Sequence, residues 1–358
     1  MTAAVQTVIT IVIFFGMLGG LVVFHELGHF LTARLARVRV LEFGIGFPPR
    51  ARVLRSKGET LYTLNWLPIG GFVRLEGEDG DSNDPRSFVR AALPVKLVIL
   101  VAGVAMNIVL AFVIFFAISA LANPTLDLTI SQVKPDSPAA TAGLVVGDKV
   151  LTLDGEVFDG FKDPGLALRD RAGQTVQLGV VHADGTGQTL TATLRPRAEV
   201  KETSGALGIA FGRTIRYVQN PPGTAVGLAA NRTGEALTLI WNGLQTVADS
   251  IVTRPTQAPP VVGPIGIASQ VGNVFWQLGP VYTLYLAGIL SANLALVNIL
   301  PFPPLDGGRV AVLVLKRVAG ERISLRAERL TYLVGFAFLM VFLAWVSFFD
   351  ITAPGRGR

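Results

Sequence analysis

Residues 21–35 read LVVFHELGHFLTARL, and the histidine pair inside this apolar run decides how the rest of the chain is read. Ionisable side chains are expensive inside a hydrophobic span, so their presence marks a functional site. On a helix His25 and His29 stand one turn apart on one face. Both imidazoles then reach the same cation, and Glu26 sits beside them where it can polarise a bound water. For that reason H-E-x-x-H is a zinc-hydrolase signature. The chain holds only three histidines, and two of them fall here. A bland pair of hydrogen-bonded core histidines would leave the adjacent Glu26 unexplained.

Of the 358 residues 51% are hydrophobic and only 16% charged, with mean hydropathy +0.53. Soluble domains carry about 25% charged residues, so the class is a polytopic α-helical membrane protein. The absence of cysteine excludes disulfides and thiolate ligands, so any zinc must be held by histidine and carboxylate. A net charge of +6 could suggest nucleic acid. The basic residues cluster beside apolar spans, however, and the positive-inside rule accounts for them with no nucleic-acid partner.

Four transmembrane helices are expected. The first, within 1–36, is long enough to cross a hydrocarbon core that needs about 20 residues, and too long for a cleaved signal peptide. Arg34, Arg37 and Arg39 mark its end as cytosolic and place the N-terminus outside. His29 and His25 then lie roughly 8–13 Å inside the helix from Arg34. Residues 37–93 form a cytosolic loop, in which EFGIGFPP at 42–49 reads as a Gly/Pro-rich segment. TLYTLNWLPIGGFVRL at 60–75 reads as a short β-hairpin turning at 68–71. An open hairpin edge beside a membrane site can dip into the bilayer and pair with an extended substrate, or pack as an ordinary hairpin on the cytosolic face. The second span, 94–122, carries Gly103-x-x-x-Asn107, a spacing suited to close helix packing and an interhelical hydrogen bond.

Residues 125–200 change character to short β-rich runs around SPAATAGL at 137–144 and GDKV at 147–150, with Ser137-Pro138 reading as a helix start and Gly143 as its stop. This string resembles bacterial PDZ domains, which capture peptide termini along a strand edge. His182 reads as a surface residue of this α+β domain. Residues 201–277 suit extracytosolic amphipathic helices and a linker, Pro-rich over 255–264. A third span covers 278–300, a cytosolic segment and loop 301–329, a fourth span 330–349, and a basic tail 350–358. Both termini and the PDZ-like domain are thereby extracytosolic.

A catalytic zinc takes three protein ligands. Asp306 is the candidate for the third, because it follows a proline-broken helix end whose irregular backbone makes sense where it lines a cavity; as an alternative it caps a helix after PFPP. HELGH at 25–29, Gly103-x-x-x-Asn107, the PDZ-like insert and N-x-x-P-x-P-x-L-D-G-G from Asn298 to Gly308 occur in the order seen in site-2 proteases, and over nearly its whole length the chain resembles that family. The resemblance to these bacterial RseP-like intramembrane zinc metalloproteases implies that His25, His29 and Asp306 bind Zn2+ and Glu26 is the general base. It further implies that Asn298 contacts the substrate backbone, and Gly103 and Asn107 are taken with it as candidate substrate-binding residues. The implied activity is cleavage within transmembrane segments of single-span proteins, such as anti-sigma factors or remnant signal peptides, in the bacterial inner membrane. Gram-negative members often carry two tandem PDZ domains, and here there is room for one. The rival class is a non-catalytic membrane adaptor or chaperone with a PDZ domain and a structural zinc.

Overall fold

Residues 3–24 contain no proline and no charged side chain, so helix α1 (Ala3–Leu35) runs unbroken through the H-E-x-x-H stretch. The structure, a computed structural model, describes residues 2–56, 58–78, 80, 82–200, 205–253, 260–319 and 325–352. The basic tail beyond 352 and the first half of the expected proline-rich loop, 255–259, lie outside them. The described chain divides into two compact units, Met1–Phe116 with Val226–Arg358, and Ala117–Ala225.

In the first unit small residues set the helix packing. Helix α2 (Leu93–Leu121) passes so close to α1 that a Cβ on Gly28 would lie 2.7 Å from the carbonyl carbon of Ala102. Helix α7 (Pro280–Asn298) meets α2 where Gly288 faces the Phe115 ring and where Ser291 Oγ donates to the Asn107 carbonyl at 2.8 Å. Helices α5 (Pro222–Thr253) and α6 (Pro264–Leu278) precede α7. Asp350, near the end of α9 (Leu325–Thr352), accepts from Gly263 N at 3.1 Å and Gly266 N at 2.9 Å, covering orphan donors at the start of α6. Among the described residues α1, α2, α7 and α9 are long and apolar enough to cross a membrane.

Strands β1 (Val40–Arg55) and β2 (Leu61–Leu75) depart from the expected short hairpin. The segment EFGIGFPP is strand, despite its Gly/Pro content, and both strands double back. Residues 40–45 pair with 75–71, residues 50–55 pair with 65–62, and 42–45 also face 61–64. Buried Glu42 holds these turns together: it accepts from Arg50 Nη2 and Thr63 Oγ1, each at 2.9 Å, and pairs with Arg74 at 3.3 Å. One buried carboxylate with three donors explains a fold that alternation of apolar residues does not reveal. Helix α8 (Asp306–Ala319) replaces the loop expected after the proline cluster. Gly307 and Gly308 lie against the backbone of Ile299 and Phe302, where no side chain fits.

The second unit is a six-stranded sheet in the order β7-β6-β4-β5-β3-β8, comprising β3 (Asn123–Val133), β4 (Lys149–Leu153), β5 (Glu156–Asp159), β6 (Thr175–Val181), β7 (Gly187–Thr193) and β8 (Ile209–Val218). It extends beyond residue 200, because β8 pairs along the whole of β3. Short helices α3 (Pro138–Thr141) and α4 (Pro164–Asp170) flank it. Ser137 caps α3 by accepting from Ala140 N at 3.2 Å, Pro138 occupies its first turn, and Gly143 follows at φ +85°. The core is the inward face of the sheet, with Leu128, Ile130, Val150, Val176, Leu178 and Leu194 wholly enclosed.

His182 is more than a surface residue. Its Nδ1 stands 2.9 Å from Oδ1 of fully buried Asp148, whose Oδ2 accepts from Val145 N at 2.9 Å. The hydrogen bond to Asp148, with a second to Gln188, raises the His182 pKa. A pKa raised in the folded state stabilises the fold below the ordinary histidine value of about 6.5 and loses that contribution as pH rises through the raised one. Hydrogen exchange at the Val145 and Ile130 amides should therefore accelerate as pH rises through that window, beyond the intrinsic trend. His182→Gln should show the intrinsic trend alone.

Candidate metal centre

Three side chains from two distant stretches converge in the first unit. His25 Nε2 stands 2.9 Å from Asp306 Oδ2, His29 Nε2 stands 3.2 Å from the same oxygen, and the two Nε2 atoms are 3.2 Å apart. Helix α1 supplies the histidines from one face, and α8 supplies Asp306 as its first residue, 281 positions from His25. Among the described residues this is the group of three whose donor atoms can hold a metal ion.

The triangle suits zinc. Tetrahedral coordination at the usual Zn–N and Zn–O lengths spaces neighbouring donors about 3.3–3.4 Å apart, within a few tenths of the observed edges. All three side chains are largely buried, and anionic Asp306 supplies the charge that two neutral imidazoles lack.

The surroundings set the imidazole tautomers. His29 Nδ1 lies 2.8 Å from the Ile99 carbonyl, which can only accept, so Nδ1 carries the proton and Nε2 keeps a lone pair toward the centre. His25 Nδ1 faces the amide of Asn107, with Nδ2 at 3.3 Å, while Asn107 Oδ1 is buried without a hydrogen-bond partner. Turning that amide end for end presents the orphan oxygen to an Nδ1–H, the tautomer an imidazole bound through Nε2 requires. The unpartnered oxygen is therefore a second observation in favour of a metal.

Gly103 faces the same pair: a Cβ there would lie 2.7 Å from His25 Cε1 and closer still to His29 Nε2. Gly103 and Asn107, expected to touch substrate, both sit against the imidazoles, and Asn107 is fully buried. Gly103→Ala should displace the histidines and weaken metal binding by at least about 10-fold, as read by competition with a chromogenic chelator. Unaltered affinity would show that the rings do not occupy these positions.

Glu26 is half-buried and its side chain forms no hydrogen bond among the described residues, leaving its carboxylate available. Gly71 of β2 passes beside it, with a Cβ there 3.5 Å from Glu26 Cγ. Asn298 ends α7, half-buried and without a side-chain hydrogen bond among the described residues. Sequence reading did not reach the Ile99 carbonyl, which is backbone and leaves no residue-type signal. It also missed Glu78, which accepts from Leu75 N at 3.1 Å and pairs with Arg309, tying the end of β2 to the helix that opens with Asp306. Arg309 follows that motif directly, and this was the one available hint.

Residues 13–342 match the family model described as Peptidase family M50. The chain belongs to peptidase family M50. Among similar proteins, a provisionally named zinc metalloprotease of Clostridium acetobutylicum is 30% identical, covering 94% of this chain and 95% of its own. A counterpart in Clostridium perfringens, named in the same provisional way, is 32% identical over 93% and 96%. Zinc metalloprotease RasP of Geobacillus kaustophilus is 27% identical over 97% and 99%. This M50 peptidase is matched along nearly its whole length.

Proposed function

We propose that this M50 peptidase is an intramembrane zinc metalloprotease that hydrolyses peptide bonds within the membrane spans of single-span proteins. The observation that carries the reading is the convergence of His25, His29 and Asp306 within 3.2 Å, on helices set by an apolar span and a proline-broken turn. Those three residues hold the zinc. Bound there, the ion supplies Lewis-acid activation of water and stabilisation of negative charge. Glu26, one residue from His25 and without a side-chain hydrogen bond among the described residues, takes the proton from the attacking water and delivers it to the leaving amine. Asn107 and the Ile99 carbonyl hold the imidazoles in register, and Asn298 is assigned to the substrate backbone.

A membrane-spanning helix hides its carbonyls in its own hydrogen bonds, so it must be drawn out before attack. The stretch 71–75 of β2 pairs with 40–45 on one side and, among the described residues, has no strand on the other. Its free edge begins beside Glu26, which supports capture of an extended substrate by strand addition next to the base. The α+β unit around SPAATAGL is read as a single PDZ domain that receives peptide termini, and the arginines after α1 support its extracytosolic side and a place in the bacterial inner membrane. Substrates whose ectodomains have already been trimmed, such as anti-sigma factors and remnant signal peptides, fit this arrangement.

The test is co-expression with tagged single-span candidates followed by purification and chelation. Cleavage within the span is expected, should stop on zinc removal and should return with equimolar zinc. Cleavage that persists in the metal-free protein would refute the proposal.

A further inference from the structure

At the end of α1 a pocket of about 370 Å³ is lined by five arginines and one acidic residue, Glu59. Arg39 pairs with Asp84 at 3.0 Å and Arg86 with Glu59 at 2.9 Å. Arg34, Arg37 and Arg55 have no ion pair among the described residues, and Arg39 Nε is buried without a hydrogen-bond partner. Three guanidinium groups without an acidic partner among the described residues open onto one concavity, where a single anion would join them.

The anion's source follows from the position. Arg34 stands in the last turn of a helix able to cross a membrane, where headgroup phosphates lie. On the same turn Leu31 and Leu35 are exposed, Leu35 to 83%, so an apolar surface adjoins the charged one. Free phosphate would satisfy the arginines and leave these leucines bare. Arg37 adopts φ +59°, a left-handed conformation that disfavours any side chain but brings this guanidinium to the pocket rim.

We propose that this pocket holds the headgroup phosphate of an anionic phospholipid, and so fixes the depth at which His29, about 8 Å back along the same helix, sits in the bilayer. The test uses the full chain in neutral detergent, titrated with phosphatidylglycerol, phosphatidylcholine and inorganic phosphate, with bound lipid counted by native mass spectrometry. Phosphatidylglycerol is expected to bind most tightly. Arg37→Gly, which relieves the left-handed backbone and cannot be blamed for misfolding, should weaken it about 5-fold, and Arg34→Gln with Arg37→Gly and Arg55→Gln about 100-fold, at unchanged metal content. Equal affinity for phosphatidylcholine, undiminished binding in the triple variant, or inorganic phosphate binding as tightly as phosphatidylglycerol would each overturn it.

Discussion

Glu26→Gln is expected to leave a folded, fully zinc-loaded protein whose cleavage of a membrane-span substrate falls by a factor of about 10²–10⁴, the range general-base catalysis supplies. The substitution keeps volume and removes only the ability to accept a proton. No side-chain hydrogen bond among the described residues is lost with it. The readout is initial rate in reconstituted vesicles together with metal content. A non-catalytic adaptor with a structural zinc predicts the opposite pattern, in which Glu26→Gln retains every measurable property of the wild type. Cleavage at the wild-type rate would remove Glu26 from the chemistry.

Asp306→Ala should be the more damaging change. It deletes one of three donors, and the only anionic one, leaving two neutral imidazoles 3.2 Å apart around a dication. Zinc added at about 100 times its dissociation constant stabilises a native protein by about 2.7 kcal/mol. The wild type should show a corresponding rise in melting temperature and Asp306→Ala almost none, with activity at background. Asp306→Asn, which keeps a neutral oxygen in place, should fall between the two. A zinc-dependent rise of full size in Asp306→Ala would exclude that residue from the ligand set.

The parts of this site legible in the sequence are those whose chemistry contradicts their surroundings. His25, Glu26 and His29 stood out as ionisable groups in an apolar run, and Asp306 as a carboxylate behind a proline-broken helix end. Gly103 and Asn107 were legible as a spacing, but their neighbours were not: they face imidazoles from another helix, and no local pattern encodes such a contact. The β1–β2 element was half visible. Its turn residues and alternation suggested a hairpin over 60–75, whereas the partner strand contains Gly44, Gly46, Pro48 and Pro49, which argue against a strand until buried Glu42 is seen to gather Arg50, Thr63 and Arg74. Helix α8 was legible only in the alternative reading in which a helix opens at Asp306, since the prolines otherwise suggested that the loop continued. The sheet's last strand, β8, follows a break in the β-rich composition, and only its long-range pairing with β3 brings it in.

The central claim is that two histidines of the first helix and an aspartate of the eighth share one ion. X-ray absorption at the zinc edge of the purified full-length protein, wild type beside Asp306→Ala, tests it most directly. One zinc per wild-type chain is predicted, with a shell of nitrogen and oxygen only at about 2.0–2.2 Å and imidazole scattering from two rings, and this shell should be lost in the variant. An identical spectrum at equal zinc content in Asp306→Ala would contradict it.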